Sequence, residues 1–318
     1  MPISNKILNV AFFLLTGIPP AINTDLIAKK DSNKRTNNSR LSINPQDQYE
    51  SPEDQQYWES QKKYLVKPED YYGSMPQDLE NVLFMIQHEK EFKEAGLYKT
   101  SNFIFYGPPG VGKTYVGSIF AQKIGAEFMY VQGSELQDCY VGGHRKPEEL
   151  FARARRRRNK VNKSVVMFID EIDATVGSRD RLGSGPNEQQ MIAALLKEIG
   201  SEVNDGIIVV AATNKIKNID EALLRSGRME HHIQFTLPNE QDRESFLKFL
   251  IKPFINFFDS KIVWSFIAQQ LKGYTFADIK KIVDDLKQAY IIKKINTKDE
   301  GLRITHNDIM HCLDTRKK

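Results

Sequence analysis

The sequence predicts an α/β fold, a parallel sheet covered by helices on both faces, followed by a small C-terminal helical domain. Three observations carry this. Short, continuous apolar runs alternate with stretches of helical periodicity from about residue 65 to 238. One such run passes through a glycine- and proline-rich turn directly into an amphipathic helix. Beyond Pro238 the strand-like runs stop, and only helical periodicity continues to the end of the chain.

The chain is 318 residues long, with 40% hydrophobic and 27% charged residues, which suits one large globular core and a second, smaller unit. Its formal net charge of +4 is too small to demand a nucleic-acid or membrane partner. Cys139 and Cys312 are far apart and form no CxxC pair, so they point to a reducing compartment or to no redox role.

Residues 1–22 contain the apolar run ILNVAFFLLTGI at 7–18, closed by Pro19 and Pro20. It is short for a membrane span and suits the apolar region of an export signal, though a clean A-x-A site is missing. A signal, a membrane anchor and a buried or partner-docking segment are the readings it leaves open. Residues 23–64 are polar and read as a disordered linker. Within the core at 65–238, the expected strands are FIFY (103–106), FMYV (128–131), VVMFI (165–169), IIVVAA (207–212) and HIQF (232–235). Residues 239–318 carry four helical segments, which form the expected helical domain.

The turn after FIFY is Gly107-Pro108-Pro109-Gly110-Val111-Gly112-Lys113-Thr114, which satisfies G-x-x-x-x-G-K-[ST] in full. Glycines let a backbone curl around an anion with its N–H groups pointing inward, and the helix that follows adds its positive end. Lys113 supplies a mobile charge for terminal phosphates, and the Thr114 hydroxyl can ligate Mg²⁺. The turn is therefore expected to hold ATP with Mg²⁺. VVMFIDEID places Asp170 and Glu171 at the carboxyl end of a buried strand, where open α/β sheets put their ligands. Asp170 is suited to hold Mg²⁺ and Glu171 to polarise an attacking water. Asn214, at the end of IIVVAATN, can orient that water or touch the γ-phosphate.

With these motifs in this order the chain resembles the AAA family of P-loop NTPases. From PEDYYG at Pro68 onward it is most similar to the ATPase module of FtsH-type membrane AAA proteases. GPPGVGKT corresponds to the Walker A loop, FIDEID to Walker B and AATN to the sensor-1 strand. The resemblance implies an AAA+ core with a helical lid, a homo-oligomeric, hexameric ring and a polypeptide substrate. It implies that Arg225 and Arg228, in IDEALLRSGRMEHHIQF, reach the nucleotide of the adjacent subunit as arginine fingers. It further implies that Tyr140-Val141-Gly142 is a substrate-gripping pore loop and that Tyr72, Gly73 and Ala277 lie near the adenine, with Phe276 where a glycine is usual.

Two departures stand out. Residues 153–163 hold seven basic residues among eleven and read as an inserted basic loop before the Walker B strand. A solvated surface, or a contact for an acidic partner, lipid head groups or nucleic acid, are the readings open to it; the lack of interleaved aromatics disfavours nucleic acid. The family's zinc peptidase motif H-E-x-x-H is also missing: HEKEF (88–92) begins like it, but Phe92 stands at the second histidine. No intrinsic proteolysis and no structural zinc are expected. The compartment stays open among cytoplasmic, membrane-associated and exported, provided it contains ATP.

Overall fold

The computed structural model describes residues 49–96, 102–137, 146–174, 186–201, 204–225, 227–298 and 301–315. The chain enters through helix α1 (Pro52–Gln61), followed by α2 (Gln77–Gln87) and α3 (Glu89–Glu94). Strand β1 (Phe103–Tyr106) then leads into α4 (Lys113–Lys123), β2 (Glu127–Gln132), α5 (Gly133–Gln137) and α6 (Lys146–Val161). Next come β3 (Val165–Asp170), α7 (Pro186–Ile199), β4 (Ile207–Thr213) and β5 (His231–Gln234). The helices α8 (Glu240–Ile251), α9 (Trp264–Gln270), α10 (Phe276–Thr297) and α11 (His306–Asp314) complete the described chain.

The five strands form one sheet in the order β2-β3-β4-β1-β5, with every pairing parallel. The central strands are buried along their apolar runs, with only the last residues of β1 and β3, Tyr106 and Asp170, half-buried. One face packs Met129, Met167, Val209 and Leu195 into a core with α6 and α7, while the other packs Phe105, Phe120 and Phe168 with α2 and α4. The carboxyl ends of β1, β3 and β4 thus come together at one edge of the sheet, at Tyr106, Asp170 and Thr213. The C-terminal helices have a core of their own around Leu247, Ile267, Ile279 and Leu313. Helices α8, α10 and α11 each start at a capping box, Asn239/Asp242, Thr275/Asp278 and Thr305/Asp308, so their starts are fixed locally.

Two expectations fail here. Residues 49–64 are not a disordered linker; residues 23–48 of that expected linker, and the apolar run at 7–18, lie outside the described residues. Helix α1 begins at a Ser51/Asp54 capping box with Pro52 at its first turn, and it lies on edge strand β2. Trp58 is buried with the α6/α7 face, whereas Tyr64 joins the α2/α4 face, so the segment wraps the sheet edge. On that edge Gln61 Oε1 accepts from the Tyr130 N–H at 2.8 Å, and the Tyr57 hydroxyl donates to the Tyr130 carbonyl at 3.4 Å. Side chains of α1 thus satisfy backbone groups that an edge strand would otherwise leave open.

The second failed expectation is the basic loop at 153–163, most of which is helix α6. Arg153 and Arg156 converge on Asp54, each at 2.7 Å, and Asp54 is 1% exposed. Arg157 bonds Glu127 at 3.0 Å and reaches Glu50 at 3.4 Å, and Lys160 pairs with Glu50 at 2.5 Å. On another side of the helix, Arg155 pairs with Glu198 at 3.2 Å and Asn204 at 2.9 Å, while Arg158 donates to the Asp205 carbonyl. The acidic partner of the basic run is therefore largely this chain's own leading segment.

Candidate active site

The turn between β1 and α4 has positive φ at Gly107, Gly110 and Gly112. A Cβ on Gly107 would lie 2.0 Å from the Phe235 carbonyl oxygen, so only glycine allows the loop to cross β5 so closely. At Gly110 a Cβ would meet the Thr275 hydroxyl at 2.7 Å, and the Gly110 carbonyl accepts from the Ala277 N–H at 3.1 Å. The lid helix α10 is thereby fastened to the loop at its first turn.

Lys113 extends back into this loop. Its Nζ donates to the Gly107 carbonyl at 2.7 Å, the Pro108 carbonyl at 2.8 Å and Asn214 Oδ1 at 2.9 Å. The side chain is buried, and it makes no ion pair with a carboxylate among the described residues. Burial pushes its pKa down, opposed by the charges of Asp170, Asp173 and Glu171. A buried ammonium coordinated only by neutral oxygens, at the mouth of a helix N-terminus, is a site that a phosphate would neutralise. Pro108, Pro109 and Gly110 are exposed, whereas Val111 is buried and anchors the loop in the core.

At the end of β3, the Thr114 hydroxyl donates to Asp170 Oδ2 at 2.9 Å. A hydroxyl and a carboxylate held together form an oxygen donor pair of the type Mg²⁺ prefers, and they adjoin the phosphate cradle. The residues present therefore fit Mg²⁺ as well as a polyphosphate. Asp170 Oδ1 accepts from the Glu171 N–H at 3.0 Å, which leaves the Glu171 side chain exposed next to the site. Glu171 has φ 52°, an uncommon conformation for a non-glycine residue and one often found at functional sites. Its carbonyl packs on Gly133, where a Cβ would come within 2.4 Å. Nearby, Thr213 donates to Asp173 at 2.7 Å and receives the Lys215 N–H at 2.9 Å, shaping the turn that presents Asn214.

The two arginines differ. Arg225 is exposed, while Arg228 is half-buried and donates to the Ala222 carbonyl at 2.7 Å. Tyr72 lies with Phe246, Phe249 and Phe276 in an aromatic cluster, at ring distances of 5.2, 5.6 and 6.2 Å, and Gly73 follows it in an open turn with φ 99°. Phe276, the residue at the usual glycine position, is thus part of the seam between the segment before α2 and the lid. Tyr140, Val141 and Gly142 lie outside the described residues. Among the described residues, no group of His, Cys, Asp and Glu is arranged to hold a metal by itself, and no helix is long and apolar enough to cross a membrane.

Several residues of the site escape sequence reasoning. Tyr130 on β2 donates its hydroxyl to Asp170 Oδ2 at 3.3 Å, and burial together with the Asp170 charge pushes its phenol pKa up, so the proton stays on the donor. Asp173 and Gly133 brace the turn after β3. The tyrosine reads as an ordinary strand residue because its partner is forty positions away; Asp173 could have been found as the second aspartate of the DEID run.

Residues 103–237 match the family model described as ATPase family associated with various cellular activities (AAA). The chain is similar to the ATP-dependent zinc metalloprotease FtsH of Mesoplasma florum, with 32% identity over 210 residues, 65% of this chain and 31% of that protein. It is likewise similar to the ATP-dependent zinc metalloprotease FtsH 1 of Thermoanaerobacter, with 34% identity over 215 residues, 66% of this chain and 34% of that one. Against the 26S proteasome regulatory subunit 6A of Encephalitozoon cuniculi, identity is 29% over 272 residues, 80% of this chain and 63% of the subunit. The chain thus spans about a third of the length of these two FtsH relatives.

Proposed function

The chain carries an AAA ATPase domain across residues 103–237, and from that premise we propose that it is a Mg²⁺-dependent ATPase that works as a homo-oligomeric ring, hexameric as in its family, and remodels, unfolds or threads a polypeptide. The single observation that carries the ATPase reading is the Lys113 ammonium, buried inside the glycine loop on neutral oxygens and bonded to Asn214.

In this reading the backbone of Gly107 to Thr114 surrounds the phosphates, and Lys113 exchanges its carbonyl partners for phosphate oxygens. Thr114 and Asp170 hold Mg²⁺, which when bound neutralises charge on the phosphates as the terminal group departs. Glu171 takes a proton from the attacking water, and Asn214 orients that water or the γ-phosphate. Tyr72, Gly73 and Ala277 border the adenine. Arg225 and Arg228 act on the nucleotide of a neighbouring subunit; Arg225 is free to extend, while Arg228 braces the turn that carries it. Tyr140-Val141-Gly142 grip substrate. No peptidase activity is assigned to the ATPase module.

A nucleic-acid-driven reading loses its chief support, because the arginines that suggested it are bonded to Asp54, Glu50, Glu127 and Glu198. The test is the ATPase rate per protomer against protein concentration, with Lys113→Ala as blank. A rate that climbs with concentration and then saturates is expected. A rate equal to the Lys113→Ala blank at every concentration would overturn the reading.

A further inference from the structure

The route from the leading segment to the nucleotide site is continuous and short. Tyr130 lies at the crossing point: its N–H is taken by Gln61 at 2.8 Å and its carbonyl by Tyr57 at 3.4 Å. Its ring stacks on Tyr64, with centroids 4.1 Å apart and planes at 21°, and lies nearly parallel to the Phe168 ring at 6.3 Å and 15°. Its hydroxyl meets Asp170 Oδ2, the same oxygen that accepts from Thr114. Beyond Tyr64 the segment continues onto the phosphate-loop helix. The Val66 N–H is bonded to the Ser118 hydroxyl at 3.0 Å and its carbonyl to Gln122 at 2.7 Å. Asp54, held by Arg153 and Arg156, and Glu50, held by Arg157 and Lys160, fix the other end.

From this geometry we infer that Tyr130 is a positioning residue for Asp170, and that residues 50–66 form a clasp whose seating on β2 sets how well the site takes up Mg²⁺. The inference rests on the Mg²⁺-ATP reading above. The physical grounds are those of any ligand held by an outer partner. A carboxylate with two fixed hydroxyl donors loses less orientational freedom when it engages a metal, and removing such a partner usually weakens the metal by about ten- to a hundredfold. A phenol hydroxyl can fix a carboxylate only if the ring is itself held, and here the ring stacks on Tyr64 and lies beside Phe168, its register partner on β3. Because the Tyr64 half of that stack belongs to the clasp, lifting residues 50–66 off the edge strand would free the ring. The clasp is thereby a control point: an event that draws the leading segment away from β2 lowers Mg²⁺ uptake without touching the phosphate loop.

The experiment uses the full chain and a fluorescent, non-hydrolysable ATP analogue whose binding is titrated with Mg²⁺ at fixed analogue concentration, which reads the metal requirement without turnover. Tyr130→Phe keeps the ring and removes the hydroxyl; it is expected to raise the half-saturating Mg²⁺ by about tenfold, with saturating binding unchanged in excess Mg²⁺. Tyr64→Ala is expected to move the same quantity in the same direction by a smaller factor, and Tyr64→Phe to restore it. Wild-type Mg²⁺ dependence in Tyr130→Phe would overturn the inference while leaving the ATPase reading intact. Wild-type dependence in Tyr64→Ala would overturn the coupling to the clasp. Failure of the unmodified chain to bind the analogue at any Mg²⁺ concentration would overturn the ATPase reading and the inference together.

Discussion

Replacing Asp54 by alanine should detach helix α1 from the sheet edge. The Asp54 side chain is 2% exposed and sits between two guanidinia that are 17% and 20% exposed. Its removal deletes the bond from the Ser51 N–H at 3.3 Å, one half of the α1 capping box, worth about 1 kcal/mol as a single hydrogen bond, while the Ser51 hydroxyl keeps its bond to the backbone N–H of residue 54. It also leaves two partly buried cations short of their anion, a loss of about 3–5 kcal/mol for a fully buried pair. Arg153 keeps Glu149 at 3.4 Å and both guanidinia can regain some water, so the lower end applies and the total is about 4 kcal/mol. Trp58 reports the event directly because it belongs to α1 and is buried against the core of the sheet; Trp264 is the second of the chain's two tryptophans and can be replaced by phenylalanine. In urea titrations followed by Trp58 emission, the Asp54→Ala chain should lose the blue-shifted signal at markedly lower denaturant. A change below about 1 kcal/mol would mean instead that Asp54 contributes no more than a surface ion pair and does not hold α1 in place.

The same carboxylate has a pH signature. Burial alone would raise its pKa, but the hydrogen bonds from Arg156 and Arg153 outweigh burial and bring it from its ordinary 3.8 down to about 2. A depressed folded-state pKa means the unfolded chain binds the proton more readily. The stabilisation is therefore complete above the ordinary value and is lost as pH falls from about 4 through about 2. Clasp stability should be alike at pH 7 and pH 5 and should drop towards pH 3, and this particular drop should vanish in Asp54→Ala.

Three further outcomes follow from the site itself. Glu171→Gln should still bind the fluorescent ATP analogue but hydrolyse ATP about 10²- to 10⁴-fold more slowly, the usual contribution of a general base; a near-normal steady-state rate would remove Glu171 from that role. Arg225→Ala should lower turnover by about 10³-fold or more and leave the melting temperature unchanged, since the side chain is exposed. Arg228→Ala should lower turnover and also stability, by about 1 kcal/mol, because the bond to the Ala222 carbonyl goes with it; equal melting temperatures for the two variants would contradict that distinction.

The parts of this protein that were legible in its sequence are those whose chemistry is local. GPPGVGKT declares itself because glycine, lysine and threonine must occupy fixed places within one turn. The buried strands declare themselves because a two-sided parallel sheet allows no polar interruption. The leading helix did not, because α1 buries little beyond Trp58 and is otherwise held by charges on α6, about a hundred residues further along. Composition made residues 153–163 read as a loop, yet their spacing held a helical signal: Arg153, Arg156, Arg157 and Lys160 recur at i, i+3, i+4 and i+7, and these are the residues that meet Asp54, Glu50 and Glu127. The Tyr130–Asp170 contact was illegible for a different reason. It depends on the register of β2 against β3, which pairs Gln132 with Asp170 and so sets Tyr130 two residues before it on the neighbouring strand.

The central claim, that each nucleotide site is completed by an arginine from a neighbouring subunit, is tested most directly by mixing. Arg225→Ala and Lys113→Ala chains are each assayed for ATP hydrolysis alone and then combined in equal amounts under conditions that allow subunit exchange. Each is expected to be inactive alone, and the mixture is expected to recover up to about a quarter of wild-type activity, the share of interfaces in a randomly mixed ring that join an intact phosphate loop to an intact arginine. A mixture no more active than its components, when both assemble and exchange as the wild type does, would contradict it.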